Sequence, residues 1–392
     1  MYYPRQIESI LQKAARRFRV VVLTGARQTG KSTLLKHLFR RTHRYVSLDN
    51  PRDLKLAQED PVLFFREYSG PLILDEIQLS PELLPYVKMR VYAGACKGQF
   101  LIIGSQQFTL MKNLRESLAG RAALFYLFPM SVLEGGISRR TYEFRGLKGS
   151  YPELVVSRSL DPERWFASYV STYIEKDVQT QYRLEKITHF RDLSFLLAAR
   201  ISQTLNYQTL ANDLGVSVHA VKLWIKVLEA SQIVYLLKPY YLNLGSRIVK
   251  APKVYFTDIG LVSYLTGVQD KKTLLRGALA GPMFENFIIQ EILKKYANLG
   301  KIPAPLFYYR TNNGLEIDLI IEKKAGVIQP CEIKSNQSPH PGMVRAIERF
   351  QALNKNRIHC LDGCLIAPIA RSIPLTRTIR VFNLKEFLRQ PV

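Results

Sequence analysis

Residues 25–33 run Gly-Ala-Arg-Gln-Thr-Gly-Lys-Ser-Thr, and their spacing is G-x-x-x-x-G-K-S. Its chemistry is phosphate binding. The glycines let the backbone wrap a phosphate, and the amides at a helix start face it. Lys31 is placed for the β- and γ-phosphates, and the Ser32 hydroxyl for Mg²⁺. Gly25, Ala26, Arg27, Gln28, Thr29, Gly30, Lys31, Ser32 and Thr33 form the candidate nucleotide cradle. Asp75 and Glu76 close a short apolar run, Leu72-Ile-Leu. An aspartate there would hold Mg²⁺, and the following glutamate would act as general base on water. Ser105, with Gln106 in reserve, ends another apolar run and would sense the γ-phosphate. Arg121, with Arg115 as its rival, is the candidate arginine finger, in cis or in trans.

A second constellation lies in the last third. Glu285 falls in a helical pattern, Asp318 on one strand pattern, and Glu332 and Lys334 two apart on another. Alternation along a strand points Glu332 and Lys334 to one face. Asp318, from the neighbouring strand, can meet them there, and Glu316 shares its face. This E…D…E-x-K set is similar to PD-(D/E)xK nucleases, especially the resolvase-like branch. The resemblance implies that Asp318 and Glu332 bind a second Mg²⁺, that Glu285 completes its shell, and that Lys334 orients water. A solvated strand face is the plain alternative.

These residues need particular elements to place them. Val20–Leu23 is a β-branched run before the cradle, and Leu34–Phe39 continues as a helix. Tyr45–Leu48, Leu72–Leu74 and Phe100–Ile103 supply further strands, Asp49 ending the first of them. A five-stranded sheet flanked by helices is expected. Residues 129–149 read as the exit from that core, and 162–200 as a helical lid. Tyr207–Leu214, Gly215-Val-Ser217 and Val218–Ala230 spell helix, turn, helix, with two strands after them. This is a winged-helix pattern, with Lys222 and Lys226 on its second helix. It serves DNA contact or internal packing.

LTGARQTGKSTLL, YVSLDNP, LILDEIQ, IIGSQQF and SLAGR resemble the AAA-type ATPase of a widespread prokaryotic family. Its members join that ATPase to a C-terminal domain of unknown function. YVSTYIEKDV, YFTDIGLVSYLTG and GPMFENFIIQEIL extend the resemblance over nearly the whole chain. It implies ATP binding and hydrolysis and leaves the biological role open. The expected class is α/β. A P-loop core spans 1–150, a lid and winged helix 151–270, and a restriction-endonuclease-like domain 275–392.

Composition narrows the partner. The 392 residues hold 56 Lys+Arg against 32 Asp+Glu, a net charge of +24. The excess is spread over all three segments rather than carried by a tail. Such charge calls for a polyanion, and without a concentrated basic anchor nucleic acid, DNA first, is preferred over a membrane. No apolar run approaches the roughly 18 residues of a membrane span, and no signal-peptide core is apparent. Four cysteines (Cys96, Cys331, Cys360, Cys364) form no disulfide framework, and His359 beside Cys360 is too sparse for zinc. A cytoplasmic setting is expected, with a homo-oligomer possible. The rival expectation is a nucleotide switch for a protein partner.

Overall fold

Short apolar runs become strands β1 (Val20–Thr24), β2 (Arg44–Ser47), β3 (Leu72–Asp75), β4 (Phe100–Gly104) and β5 (Ala122–Tyr126). They form one sheet in the order β2-β3-β4-β1-β5. Every pairing is parallel, and Val20 is level with both Phe100 and Ala122. All strand starts therefore lie on one edge and all strand tips on the other. The computed structural model describes residues 2–104, 120–135, 141–157, 159–175, 187–241, 251–355 and 357–392. Ser105, Gln106 and Arg115 lie outside them.

Helices α1 (Glu8–Ala15), α2 (Lys31–Phe39), α3 (Pro51–Glu59), α4 (Pro61–Glu67) and α5 (Leu83–Tyr92) cover the sheet. Alternate side chains of each strand serve opposite faces. Val21, Leu23, Leu101 and Ile103 pack with Leu11, Leu34 and Leu35 from α1 and α2. Val20, Val22, Leu74 and Ile102 pack with Ala57, Phe64 and Val87 from α3, α4 and α5. Buried on both faces, β1, β3 and β4 have no polar alternation. Asn50 and Asp60 cap α3 and α4, each followed by proline at the first helical position. That proline lacks only an N–H that would have no helical partner.

Beyond the sheet come α6 (Tyr142–Lys148), α7 (Pro152–Val156), α8 (Pro162–Tyr169) and α9 (Ile187–Ala199). The helix–turn–helix follows as α10 (Tyr207–Leu214) and α11 (Val218–Ala230). Asn206 accepts from two α10 amides, Gly215 takes the left-handed turn at φ 64°, and Ser217 accepts from Ala220 N. Strands β6 (Val234–Pro239) and β7 (Lys253–Phe256) then pair antiparallel. Helices α12 (Ile259–Thr266), α13 (Lys271–Arg276) and the long α14 (Ala280–Asn298) lead to the last unit.

That unit holds β8 (Leu306–Arg310), β9 (Glu316–Lys324), β10 (Val327–Ile333), α15 (Arg345–Asn354), β11 (His359–Cys360), β12 (Gly363–Ile366), β13 (Ile373–Pro374), β14 (Ile379–Phe382) and α16 (Leu384–Arg389). Its mixed sheet runs β13-β14-β12-β10-β9-β8-β6-β7, with β11 beside β10. The strands after the helix–turn–helix thus extend the C-terminal sheet, since Lys238 pairs with Phe307. One hydrophobic core joins Leu228, Val254, Phe287, Ile292, Leu319 and Phe387. The middle and last segments consequently pack as neighbours around α14 rather than as beads on a string.

Candidate nucleotide site and a second carboxylate cluster

The cradle leaves the tip of β1. A Cβ on Gly25 would lie 2.3 Å from the Leu127 carbonyl oxygen, so only glycine lets the loop pass there. Gln28 and Gly30 have φ of 64° and 88°, which curls the loop back over its own centre. Thr29 is buried and its hydroxyl donates to the Ala26 carbonyl. Arg5 braces the loop from outside, donating to the Thr29 and Phe128 carbonyls and pairing with Glu134 at 3.1 Å. Lys31, buried, donates to the Gly25 and Ala26 carbonyls at 2.9 and 2.8 Å. Burial lowers its ammonium to about 8, against the pull of Glu76 and Asp75.

Opposite stand the carboxylates. Asp75 is buried at the tip of β3 and accepts from the Tyr45 hydroxyl at 2.6 Å and from the Glu76 amide at 3.0 Å. Glu76 adopts a left-handed φ of 55°, which costs about 1 kcal/mol for a residue with a Cβ. Its carboxyl accepts from Gln78 Nε2, and burial raises its proton affinity despite nearby Lys31. A cavity of about 560 Å³ is lined by Arg27, Gln28, Gly30, Lys31, Ser32, Thr33, Asp49, Glu76, Pro152 and Glu153. Strand β4 runs between β1 and β3 and separates the cradle from Asp75 by two strand spacings, roughly 10 Å. Glycine-backed amides, a lysine and the Ser32–Asp75 oxygen donors fit a nucleoside triphosphate with its Mg²⁺.

Arg121 does not join them. It precedes Ala122, which is level with Val20 at the start of β1, whereas the cradle follows Thr24. The strand between spans about 13 Å. Arg121 instead lies over the Tyr92 ring, 4.2 Å from its centroid. The expectation of a finger in cis is therefore corrected: parallel strands put Arg121 on the far edge from its own nucleotide site.

The second constellation does assemble. Antiparallel β9 and β10 pair Leu319 with Cys331, which sets Asp318 beside Glu332. Lys334 Nζ lies 2.6 Å from Glu332 and 3.3 Å from Asp318, and the Ile333 amide donates to Asp318. Glu285 of α14 accepts from the Tyr255 hydroxyl at 2.5 Å and lies 3.5 Å from Lys253 Nζ. Lys253, buried, also pairs with Glu316 at 2.5 Å. Burial, then the Asp318 charge, raises Glu285 to about 7 and Glu332 to about 8. Among the described residues no group of three or more His, Cys, Asp or Glu could hold a metal ion. The expected Glu285–Asp318–Glu332 metal shell is not gathered by the described side chains, while Lys334 stands beside Asp318 and Glu332 as the E-x-K pattern expects.

Over 339 residues the chain is 32% identical to the uncharacterized proteins Mb2031c of Mycobacterium bovis and Rv2008c of Mycobacterium tuberculosis. The match covers 86% of this chain and 74% of each of those. The chain belongs to their family. Residues 17–135 match an AAA domain, 139–272 a domain of unknown function (DUF8612), and 280–387 another (DUF4143). The N-terminal unit is thus a P-loop ATPase domain, as its sheet and cradle require. Among solved structures, the Walker-type ATPase of Pyrococcus abyssi is 13% identical with a TM-score of 0.44, covering 66% of this chain and 94% of that one. A DNA replication initiation factor is 13% identical with a TM-score of 0.26, over 74% of this chain and 91% of that one. The assignment rests on the AAA-domain match and not on these two.

Several site residues of this family member escape a motif reading. Tyr45, Arg5 and Glu153 approach the ATPase cradle from β2, the N-terminal segment and α7. Lys253 and Tyr255 reach Glu285 from β7. Tyr45 left no sequence signal, since its approach follows from the pairing of its strand with that of Asp75, Ser47 level with Asp75.

Proposed function

We propose that the chain binds and hydrolyses ATP in its AAA domain and uses that turnover to act on nucleic acid, DNA in the first instance. The observation that carries the ATPase part is the assembled cavity, lined by Lys31, Ser32 and Glu76, with Asp75 buried next to Glu76 at the tip of β3. Bound Mg-ATP would supply the reacting phosphorus and a cation to offset the charge of its phosphates. Lys31 exchanges carbonyl partners for phosphate oxygens. Ser32 and Asp75 offer the oxygen donors, Asp75 being oriented by Tyr45 and the Glu76 amide. Glu76, whose burial raises its proton affinity, accepts a proton from the attacking water. Arg121, remote from its own cradle, would serve as an arginine finger only for a neighbouring copy, and that role would require a homo-oligomer.

Support for nucleic acid comes from charge and from the helix–turn–helix. Lys222 and Lys226 are exposed on α11, whose opposite face buries Val221, Trp224, Ile225 and Leu228. The winged helix would contact the duplex with that face. The C-terminal unit, nuclease-like in its D…E-x-K placement, serves as a platform, since no three carboxylates gather there to hold a metal among the described residues. We place the protein in a reducing cytoplasm, where its free cysteines are stable. Affinity for duplex DNA should fall steeply with salt through counterion release. A salt-independent affinity, or none at low salt, would favour the switch for a protein partner instead. Cleavage of DNA or RNA with Mg²⁺ or Mn²⁺, lost in Asp318→Ala, would restore the nuclease reading.

A further inference from the structure

The parallel sheet has a second edge, and its chemistry is the opposite of the first. Asp49, Asp75, Glu76 and Glu153 gather with the phosphate cradle around the strand tips. The turns that feed the strand starts are 16–19, 40–44, 68–71, 93–99 and 120–121. They contain Arg16, Arg17, Arg19, Arg40, Arg41, Arg44, Lys97 and Arg121, and no Asp or Glu. All but Arg121, which is half-buried, are exposed. None of the eight has a carboxylate partner within ion-pair distance among the described residues.

Backbone and side-chain bonds lock these turns together. Gly98 N donates to the Phe18 carbonyl, Arg19 Nε to Ala95 O, and the His43 ring meets Gly98 O. Arg44 donates to Glu67 O and lies over the Tyr68 ring. Arg17, Arg19, Lys97 and Arg121 line one cavity of about 490 Å³ with Phe18, Ala95, Cys96 and Gly120. Such crowding of like charge costs free energy, and no carboxylate among the described residues pairs with these groups to offset it. From β2 to β5 the edge spans four strand spacings, about 19 Å. Along the axis of a duplex that length spans five or six base pairs, at roughly 3.4 Å each.

We propose that this arginine-rich edge is a docking surface for the phosphate backbone of duplex DNA. It lies one strand length from the ATP cavity and is separate from the helix–turn–helix. The inference rests on the nucleic-acid reading above and assigns it a surface. Contacts of this kind fix position without reading sequence.

Cys96 provides the test. It is exposed and lines the cavity, while Cys331 and Cys364 are buried. The full chain is labelled with a thiol reagent, with and without a duplex of about 30 base pairs at low salt, where phosphate contacts are strongest. Labelling is read residue by residue by mass spectrometry. DNA is expected to slow Cys96 modification at least about threefold and leave Cys360 unchanged. In parallel, Arg17→Ala, Arg19→Ala, Arg41→Ala and Lys97→Ala are combined. This variant should keep ATP turnover, which shows it folded, and lose about 1 from the salt slope for each phosphate contact removed. Wild-type affinity and slope in the variant, with Cys96 unprotected, overturn the surface while leaving the nucleic-acid reading standing. Absence of DNA binding by the wild type overturns both.

Discussion

Lys31 is a cation stored away from water. With phosphate absent, its ammonium spends its hydrogen bonds on two loop carbonyls, and burial brings it down to about 8. Below that pH it is charged in the empty site; above, increasingly neutral. A phosphate brought alongside favours the charged form and raises the value again. Nucleotide binding should therefore take up protons above about pH 8 and take up almost none near pH 6. Calorimetry of ATP binding in buffers of different ionisation enthalpy measures that number directly. Equal heats across buffers at both pH values would contradict the account. At this scale the motif residues were legible because phosphate chemistry fixes both type and spacing. Tyr45 and Arg5 were not, because their contacts with Asp75 and Thr29 follow from sheet order and from an N-terminal segment folding back. Arg121 was misjudged in cis for the same reason: its residue type fitted a finger, but strand direction places it on the wrong edge.

Strands β9 and β10 carry the second constellation, and here the pattern in the sequence was half the information. Alternation and a hairpin turn set Asp318 beside Glu332 and Lys334, as observed. The bracing by Lys253 was invisible, since β7 lies three strands along from β9 in the final sheet. Burial and the Asp318 charge, against the pull of Lys253 on Glu285 and of Lys334 on Glu332, leave a pair of carboxyls that resist ionisation. Glu332 keeps its proton up to about 8 in the fold but releases it near 4.5 when unfolded. The unfolded state then binds fewer protons between those values, so stability falls as pH rises from about 4.5 to about 8. Glu332→Gln removes that penalty. The variant should melt a few degrees above wild type near pH 8.5, with the gap closing toward pH 5. A variant melting below wild type near pH 8.5 would show that the ion pair with Lys334 outweighs the burial cost. The helix–turn–helix was the most legible element, because Asn206, Gly215 and Ser217 each have a local backbone task. Its merger with the C-terminal sheet through β6 and β8 was not, since non-local strand pairing leaves no local trace.

Across the whole molecule, α14 ties the parts together. Val132, just past the ATPase sheet, donates to Glu291 of α14, and Lys294 reaches both Glu291 and the Met130 carbonyl. Six residues before Glu291, the same helix presents Glu285 to the second cluster. Asn298 at its far end bonds Gln6, beside the Arg5 that braces the cradle. The buried Glu291–Lys294 pair is costly unless complete; removing one partner typically costs about 3–5 kcal/mol. The helix so anchored joins the surroundings of the cradle to the C-terminal unit. Charge is divided in the same sense, carboxylates at the ATP cavity and arginines at the opposite edge. The proposed function depends on turnover at Lys31 and Glu76. The direct measurement is steady-state ATP hydrolysis by the purified full chain with Mg²⁺, with and without duplex DNA, in wild type, Lys31→Ala and Glu76→Gln. The account predicts turnover in wild type that DNA alters. It predicts no nucleotide binding in Lys31→Ala, and binding with hydrolysis reduced about 10²–10⁴-fold in Glu76→Gln. Undiminished hydrolysis in a folded Lys31→Ala protein would contradict it.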